Sequence, residues 1–134
     1  MRPRILQTRR WPEDAEAALA AEFDVTLDPK DRPLSREALR DAMKTHDGIA
    51  ATVTDVMDDE LLAEVGGGPL KIIANFGVGV NHIDLTAAKK AGIAVSNTPG
   101  VLTDATADIA LTLMLMVMRR TGEGERELRA GGWE

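Results

Sequence analysis

The sequence predicts an α/β fold: a doubly wound parallel sheet of five strands, followed by a long C-terminal helix. Three observations carry this. Short β-type runs alternate with helical segments, the pattern of a parallel sheet covered on both faces. Clusters of Gly, Pro and Asp separate the runs at the spacing of βα units. Some runs, such as residues 48–53 (GIAATV), are apolar throughout, as in strands buried on both sides.

The elements follow in order. Residues 4–7 (RILQ) form a first strand, ending in the polar turn Thr8-Arg9-Arg10. Pro12 opens a helix in which Ala15, Ala18, Leu19 and Phe23 recur at helical spacing. Residues 24–27 are a second strand, and residues 28–33 (DPKDRP) a loop by composition. Ser35 caps an amphipathic helix carrying Ala38, Leu39, Ala42 and Met43. Residues 48–53 are the third strand. Asp58 or Asp59 caps the next helix, with Leu61, Leu62 and Val65, which stops at Gly66-Gly67-Gly68-Pro69. Residues 70–75 and 93–96 are the fourth and fifth strands, flanking a helix over residues 83–91 that Gly92 closes. Five such units suggest a flavodoxin-like sheet of order 2-1-3-4-5.

Beyond Asn97 the character changes. Pro99-Gly100 breaks the chain, and a long helix follows with Thr103 as its expected N-cap. Residues 109–118 are apolar all round except for Thr112, so burial on most sides is expected. Residues 119–134, rich in Arg and Glu, read as a second helix or a continuation, ending in Gly131-Gly132-Trp133.

Composition narrows the function classes. The 134 residues fit one ordinary globular domain, 44% hydrophobic and 28% charged. A net charge of −6 argues against sequence-independent nucleic-acid binding, which needs a basic face. The apolar run at 109–118 spans about 15 Å as a helix, roughly half a bilayer core, so no membrane partner is expected. No secretory signal is read at the N-terminus, and the expected location is the cytoplasm. Without cysteine there is no disulfide or thiolate nucleophile, and two distant histidines, His46 and His82, make a metal site unexpected.

The segment most telling of function is residues 71–108, KIIANFGVGVNHIDLTAAKKAGIAVSNTPGVLTDATAD. Gly77-Val78-Gly79 follows a buried strand and so lies at the carboxyl edge of the sheet, where open α/β folds bind ligands. Alone, a GxG is a weak signal and reads as a tight turn. His82 stands where a dinucleotide loop has its third glycine. His82 itself reads as a loop residue packed by the turn rather than a general base, lacking an orienting partner. Asn81 or Asp84 caps the helix that follows, and Asp58-Asp59-Glu60 suits a helix N-terminus better than an acid/base pair. Thr54, after the third strand, reads equally as a turn hydroxyl or a ligand contact.

Together these residues resemble the D-isomer-specific 2-hydroxyacid dehydrogenases, the glyoxylate and hydroxypyruvate reductase branch above all. The match is dense from Leu70 to Arg120 and looser before it. The resemblance implies a substrate-binding domain over residues 1–98. Residues 99–134 would be the crossover and first helical segment of a truncated NAD(P)-binding Rossmann domain, with Pro99-Gly100 as a hinge. It implies that backbone N–H groups of Val78 and Gly79 hold the substrate carboxylate and that Thr54 faces the substrate. Thr106 would contact the cofactor's ribose or phosphate, a placement suited to a helix start. The implied reaction is hydride transfer between NAD or NADP and a small 2-oxoacid. The family's catalytic arginine, glutamate and histidine, and its glycine-rich nucleotide loop, have no counterparts, so no catalytic residue is assigned and the chain alone is expected to be silent. The resemblance further implies a homodimer through the helix at 109–118. Other readings are a free-standing flavodoxin-like binding module, a relative of dehydrogenase-like nucleotide-sensing corepressors, or a structural dimerisation unit.

Overall fold

The computed structural model describes residues 2–132, so Trp133 and the chain end lie outside the described residues. Five strands alternate with helices: β1 (Arg4–Gln7), α1 (Glu13–Glu22), β2 (Asp24–Leu27), α2 (Arg36–Met43), β3 (Gly48–Ala51), α3 (Asp59–Val65), β4 (Ile72–Asn75), α4 (Leu85–Lys90) and β5 (Ala94–Ser96). Two further helices follow, α5 (Thr103–Met118) and α6 (Thr121–Arg129). All strand pairs are parallel, in the order β2-β1-β3-β4-β5. The chain divides into two compact units, Met1–Pro99 and Gly100–Glu134.

Register sorts the sheet residues onto two faces, because successive side chains of a strand point oppositely. Leu6, Ile49, Ile73 and Val95 lie in register and pack into one core. Leu39 and Met43 of α2, Leu61, Leu62 and Val65 of α3 and Ala88 of α4 close that core. On the opposite face Ile5, Gly48, Ile72 and Ala94 are in register. There Trp11, Leu19 and Phe23 line a small apolar cavity of about 170 Å³ with Ile5, Gly48 and Ile72. Gly48 has little room: a Cβ would lie 2.7 Å from Ile5 Cδ1 and 3.1 Å from Ile72 Cγ2.

Local chemistry sets the helix starts. Ser35 accepts from Ala38 N–H, Asp58 from Leu61 N–H and Asp84 from Ala87 N–H, each an N-cap bond that satisfies an orphan donor. Between the two expected caps for α3, it is Asp58 that serves. Gly92, at φ 75°, turns the chain from α4 toward β5.

Several expectations need correction. The third strand ends at Ala51, not Val53, which is exposed. The fourth and fifth strands begin at Ile72 and Ala94, and α4 at Leu85. Helix α1 has no fully buried residue; Ala15 and Leu19 are half-buried and Ala18 is exposed. Thr103 is not an N-cap: Leu102 holds that position, with no side-chain cap bond. The apolar stretch of α5 is exposed along its whole length among the described residues, not buried as expected. Of the two readings for the segment after α5, the structure has the second helix: Arg120 adopts a left-handed conformation, φ 52°, and α6 starts anew.

Candidate functional site

The carboxyl ends of β1, β3, β4 and β5 lie along one edge of the first unit, and polar side chains there shape the connecting loops. Strand order reverses between β1 and β3, the switch point where such sheets open to ligands. At that point Asp55, only 3% exposed, ties the two strands together. Its carboxylate accepts from Thr8 Oγ1 at 2.5 Å and from Thr52 N–H at 2.8 Å. Thr8 is itself buried and donates its N–H to Ala50 O at 3.0 Å. The carboxylate thereby draws residues 52–55 into a turn, which is why β3 stops before Val53.

The Gly77-Val78-Gly79 loop is held by two asparagines. Asn75, the last residue of β4, is 2% exposed. Its Nδ2 donates to Gly77 O at 3.1 Å and to Gly79 O at 3.0 Å, so this end of the side chain is the NH2. The other end, Oδ1, then accepts from His82 Nε2 at 3.0 Å, which fixes the proton on Nε2. Asn97 Nδ2 donates to Val78 O at 2.8 Å, and Thr98 N–H donates to Gly77 O at 3.1 Å. Every loop carbonyl from 77 to 79 is thus pulled onto the protein.

In a trans peptide the N–H points opposite the C=O of the preceding residue. With the three carbonyls engaged, the amides of Val78, Gly79 and Val80 face away from those donors. Among the described residues none accepts a hydrogen bond from these amides. Consecutive unpaired N–H groups in a turn form a cradle for an anion. Val78 is 43% exposed, and a Cβ at Gly79 would meet no atom within 4 Å, so the loop is open. At Gly77 a Cβ would stand 3.6 Å from Val53 Cγ1, which places the turn after β3 beside this loop.

The sequence-selected residues therefore divide. Val78 and Gly79 lie on the open loop, and Thr54 lies on the adjacent turn. Thr54 is exposed, its Oγ1 3.0 Å from Thr52 Oγ1, and borders a cavity of about 260 Å³ with Arg36, Leu39 and Asp55. Thr106 belongs to the first turns of α5 in the second unit, its N–H bonded to Leu102 O. Arg9 and Arg10 are paired with Asp31 and Glu16 rather than waiting for a ligand. Asp58 is engaged too: the Arg36 guanidinium, and then Leu61 N–H, hold its carboxyl below the usual range. Trp11 stacks on Phe76 with ring centroids 5.3 Å apart, beside the loop. A larger cavity of about 500 Å³ lies at the other end of the strands, lined by Arg2, Ile5, Asp47 and Lys71 among others. Its walls offer no comparable row of unpaired amides, which makes the loop the stronger candidate.

The segments holding Thr8, Asp55, Asn75 and Asn97 were visible in the sequence, but the part these side chains play in holding the loops was not. One signal was available: an asparagine ending an apolar strand must satisfy its amide once buried, and a glycine loop beside it supplies carbonyls.

Comparison with known proteins defines the class. The D-isomer specific 2-hydroxyacid dehydrogenase catalytic domain matches residues 5–127. The chain belongs to this family. It is 42% identical over 136 residues to the glyoxylate reductase of Thermococcus litoralis, covering all of this chain and 40% of that enzyme. Among solved structures, the TT0316 protein of Thermus thermophilus superposes with a TM-score of 0.79 at 40% identity, covering 98% of this chain and 42% of that one. A glyoxylate reductase from Paecilomyes thermophila superposes with a TM-score of 0.78 at 27% identity, over 98% of this chain and 43% of that one. The chain thus spans about two fifths of the length of the relatives it matches.

Proposed function

We propose that this chain is the substrate-binding part of an NAD(P)-dependent oxidoreductase acting on a small 2-oxoacid of the glyoxylate or hydroxypyruvate class. One observation carries the reading: the outward amides of Val78 and Gly79, with every loop carbonyl turned inward. A 2-oxoacid presents a carboxylate next to the carbonyl that is reduced. Binding the carboxylate on fixed amides orients that carbonyl and removes the entropy cost of finding the reactive pose. The turn at Val53-Thr54, beside the loop, bounds the space for the rest of the substrate, and Thr54 Oγ1 offers it a hydroxyl.

The nicotinamide supplies the hydride when bound. On this chain, the start of α5 is the place suited to it. The first N–H groups of a helix have no intrahelical acceptor, and the Thr106 hydroxyl stands one turn in. Asp104, also in the first turn, opposes a phosphate there, so Thr106 suits a ribose hydroxyl better. The polarising cation and the proton donor would come from residues other than those of this chain. Residues 1–98 then act as the substrate domain and residues 99–134 begin the nucleotide domain. The protein works in the cytoplasm as a homodimer built on α5.

Titration of the 15N-labelled chain with oxamate, an unreactive analogue of a 2-oxoacid, tests the reading. The amide resonances of Val78, Gly79 and Val80 should shift together and saturate. Shifts confined to Arg2 and Lys71, or none at all, would overturn it.

A further inference from the structure

Resting on the anion reading above, we infer that Asn75 and His82 act as a coupled pair of positioning residues that aim the loop amides at the substrate carboxylate. Asn75 is an oddity of the sheet. It ends β4 at 2% exposure, a position where an apolar side chain would serve the core better. Both ends of its carboxamide are nevertheless engaged. The NH2 end bridges Gly77 O and Gly79 O at 3.1 and 3.0 Å, and the carbonyl end takes the His82 proton at 3.0 Å.

Each contact has a separate consequence. Bridging two carbonyls two residues apart with one NH2 group forces both peptide planes to present their oxygens to the same point. The N–H groups of Val78 and Val80, across those peptides, must then face away from Asn75. Without the bridge, Thr98 N–H still holds Gly77 O, but the Gly79 plane is able to rotate so that its carbonyl oxygen meets the ligand. An anion that met an oxygen instead of an N–H would be repelled. The bridge therefore sets the sign of the field at the loop as well as its shape.

His82 fixes which way round the carboxamide sits. A rotation of the Asn75 amide by half a turn exchanges O for NH2 with almost no change of shape. That rotation would place Oδ1 against two carbonyl oxygens and close the anion cradle. A donor at Oδ1 excludes it, and the His82 Nε2 proton is that donor. Backbone bonds hold the histidine in turn: Met57 N–H donates to His82 O at 2.8 Å, and Met57 and Ile83 form an isolated parallel bridge. His82 thus acts through Asn75 and needs no contact with substrate.

The experiment uses the 134-residue chain and five forms: wild type, Asn75→Ala, His82→Leu, His82→Gln and Asn97→Ala. Oxamate affinity is read from the amide shifts of Val78, Gly79 and Val80. Without ligand, the carbonyl 13C shifts of Gly77 and Gly79 report loss of the Asn75 hydrogen bond, in full at Gly79 and in part at Gly77, which keeps the one from Thr98 N–H. Loss of one such contact is worth about a tenfold change in affinity. His82→Leu should weaken oxamate binding by about that factor, and Asn75→Ala by more. His82→Gln, whose amide NH2 stands close to where Nε2 stood, should restore binding to within about twofold of wild type. Both Asn75→Ala and His82→Leu should move the Gly77 and Gly79 carbonyl resonances upfield, while Asn97→Ala should move that of Val78 alone. If wild type binds and His82→Leu binds equally well, the positioning role is wrong and the anion site stands. The same follows if Gln fails to restore what Leu removes. If wild type itself shows no oxamate response at 78–80, the anion site falls and this inference falls with it.

Discussion

Replacing Leu113 and Val117 with glutamate should abolish self-association of the chain. These residues share one stripe of α5 with Ile109 and Met116, at helical spacing. Their exposures are 61% for Ile109, 55% for Leu113, 40% for Met116 and 76% for Val117. Full burial of such a side chain contributes about 1.5–3 kcal/mol, so covering the open half of each contributes about 1 kcal/mol. Four side chains from each of two copies then give about 8 kcal/mol in a two-fold pairing, before the cost of association. That gross figure corresponds to a dissociation constant near micromolar, which sets the tightest pairing this stripe alone supports. Sedimentation equilibrium over about two decades of concentration around that value is the assay. The wild type should move from monomer toward dimer across the series, and the double variant should remain monomeric. A matched variant on the other side of the helix, Leu111→Glu with Leu115→Glu, identifies which stripe is used. A wild type that stays monomeric at every concentration would refute the reasoning, as would a double variant that associates unchanged.

Further outcomes follow from the first unit. Thr8→Val keeps the shape of the side chain but removes a donor from the buried Asp55 carboxylate, and should cost about 1.5–3 kcal/mol in urea unfolding. Leu62→Ala, in the core beneath the sheet, should cost about 2–5 kcal/mol by the same assay. Gly48→Val must displace the ends of both Ile5 and Ile72 and should cost about 1–3 kcal/mol, with the protein still folded. Acid should weaken the fold in a defined window. Asp58 is depressed by the Arg36 guanidinium, Asp31 by Arg9, and Glu16 by the Trp11 N–H, so each has a lower pKa folded than unfolded. Their contribution is complete above the unfolded pKa and is lost as pH falls through the folded one. Melting temperature should therefore hold from neutrality to about pH 5 and drop below it. Asp58→Asn should flatten that drop, and an unaltered acid profile would contradict the assignment.

The sheet was legible because its signals are local and repeated. Ser35, Asp58 and Asp84 announce helix starts by side-chain chemistry, and Leu39, Met43, Leu61 and Leu62 mark the buried faces by spacing. What escaped was set by partners distant in sequence. Val53 looks like strand, but a carboxylate two residues on captures Thr52 N–H and ends the ladder. Thr103 looks like a cap, yet the helix begins at that residue and leaves no side-chain acceptor before it. The composition of α5 predicts burial, yet its apolar residues are exposed among the described residues, because periodicity marks an apolar helix without saying what packs on it. At the site, Gly77 to Gly79 were visible as a loop and placed at the correct edge. The side chains that orient their peptides were not, because Asn75 and His82 are seven positions apart and become a unit only when the chain turns.

Trp11 and Phe76 give the molecule an optical gauge of its own. The indole rests on the ring of the residue that leads into the Gly77 loop, and its Nε1 proton is buried with no acceptor among the described residues. Indole emission responds to nearby polarity and to quenching by amides. The only other tryptophan in the chain is Trp133, so a Trp133→Phe form would report from this one place. A change in colour or intensity on adding a small carboxylate would then time, in a stopped-flow cell, how fast the loop takes up its guest.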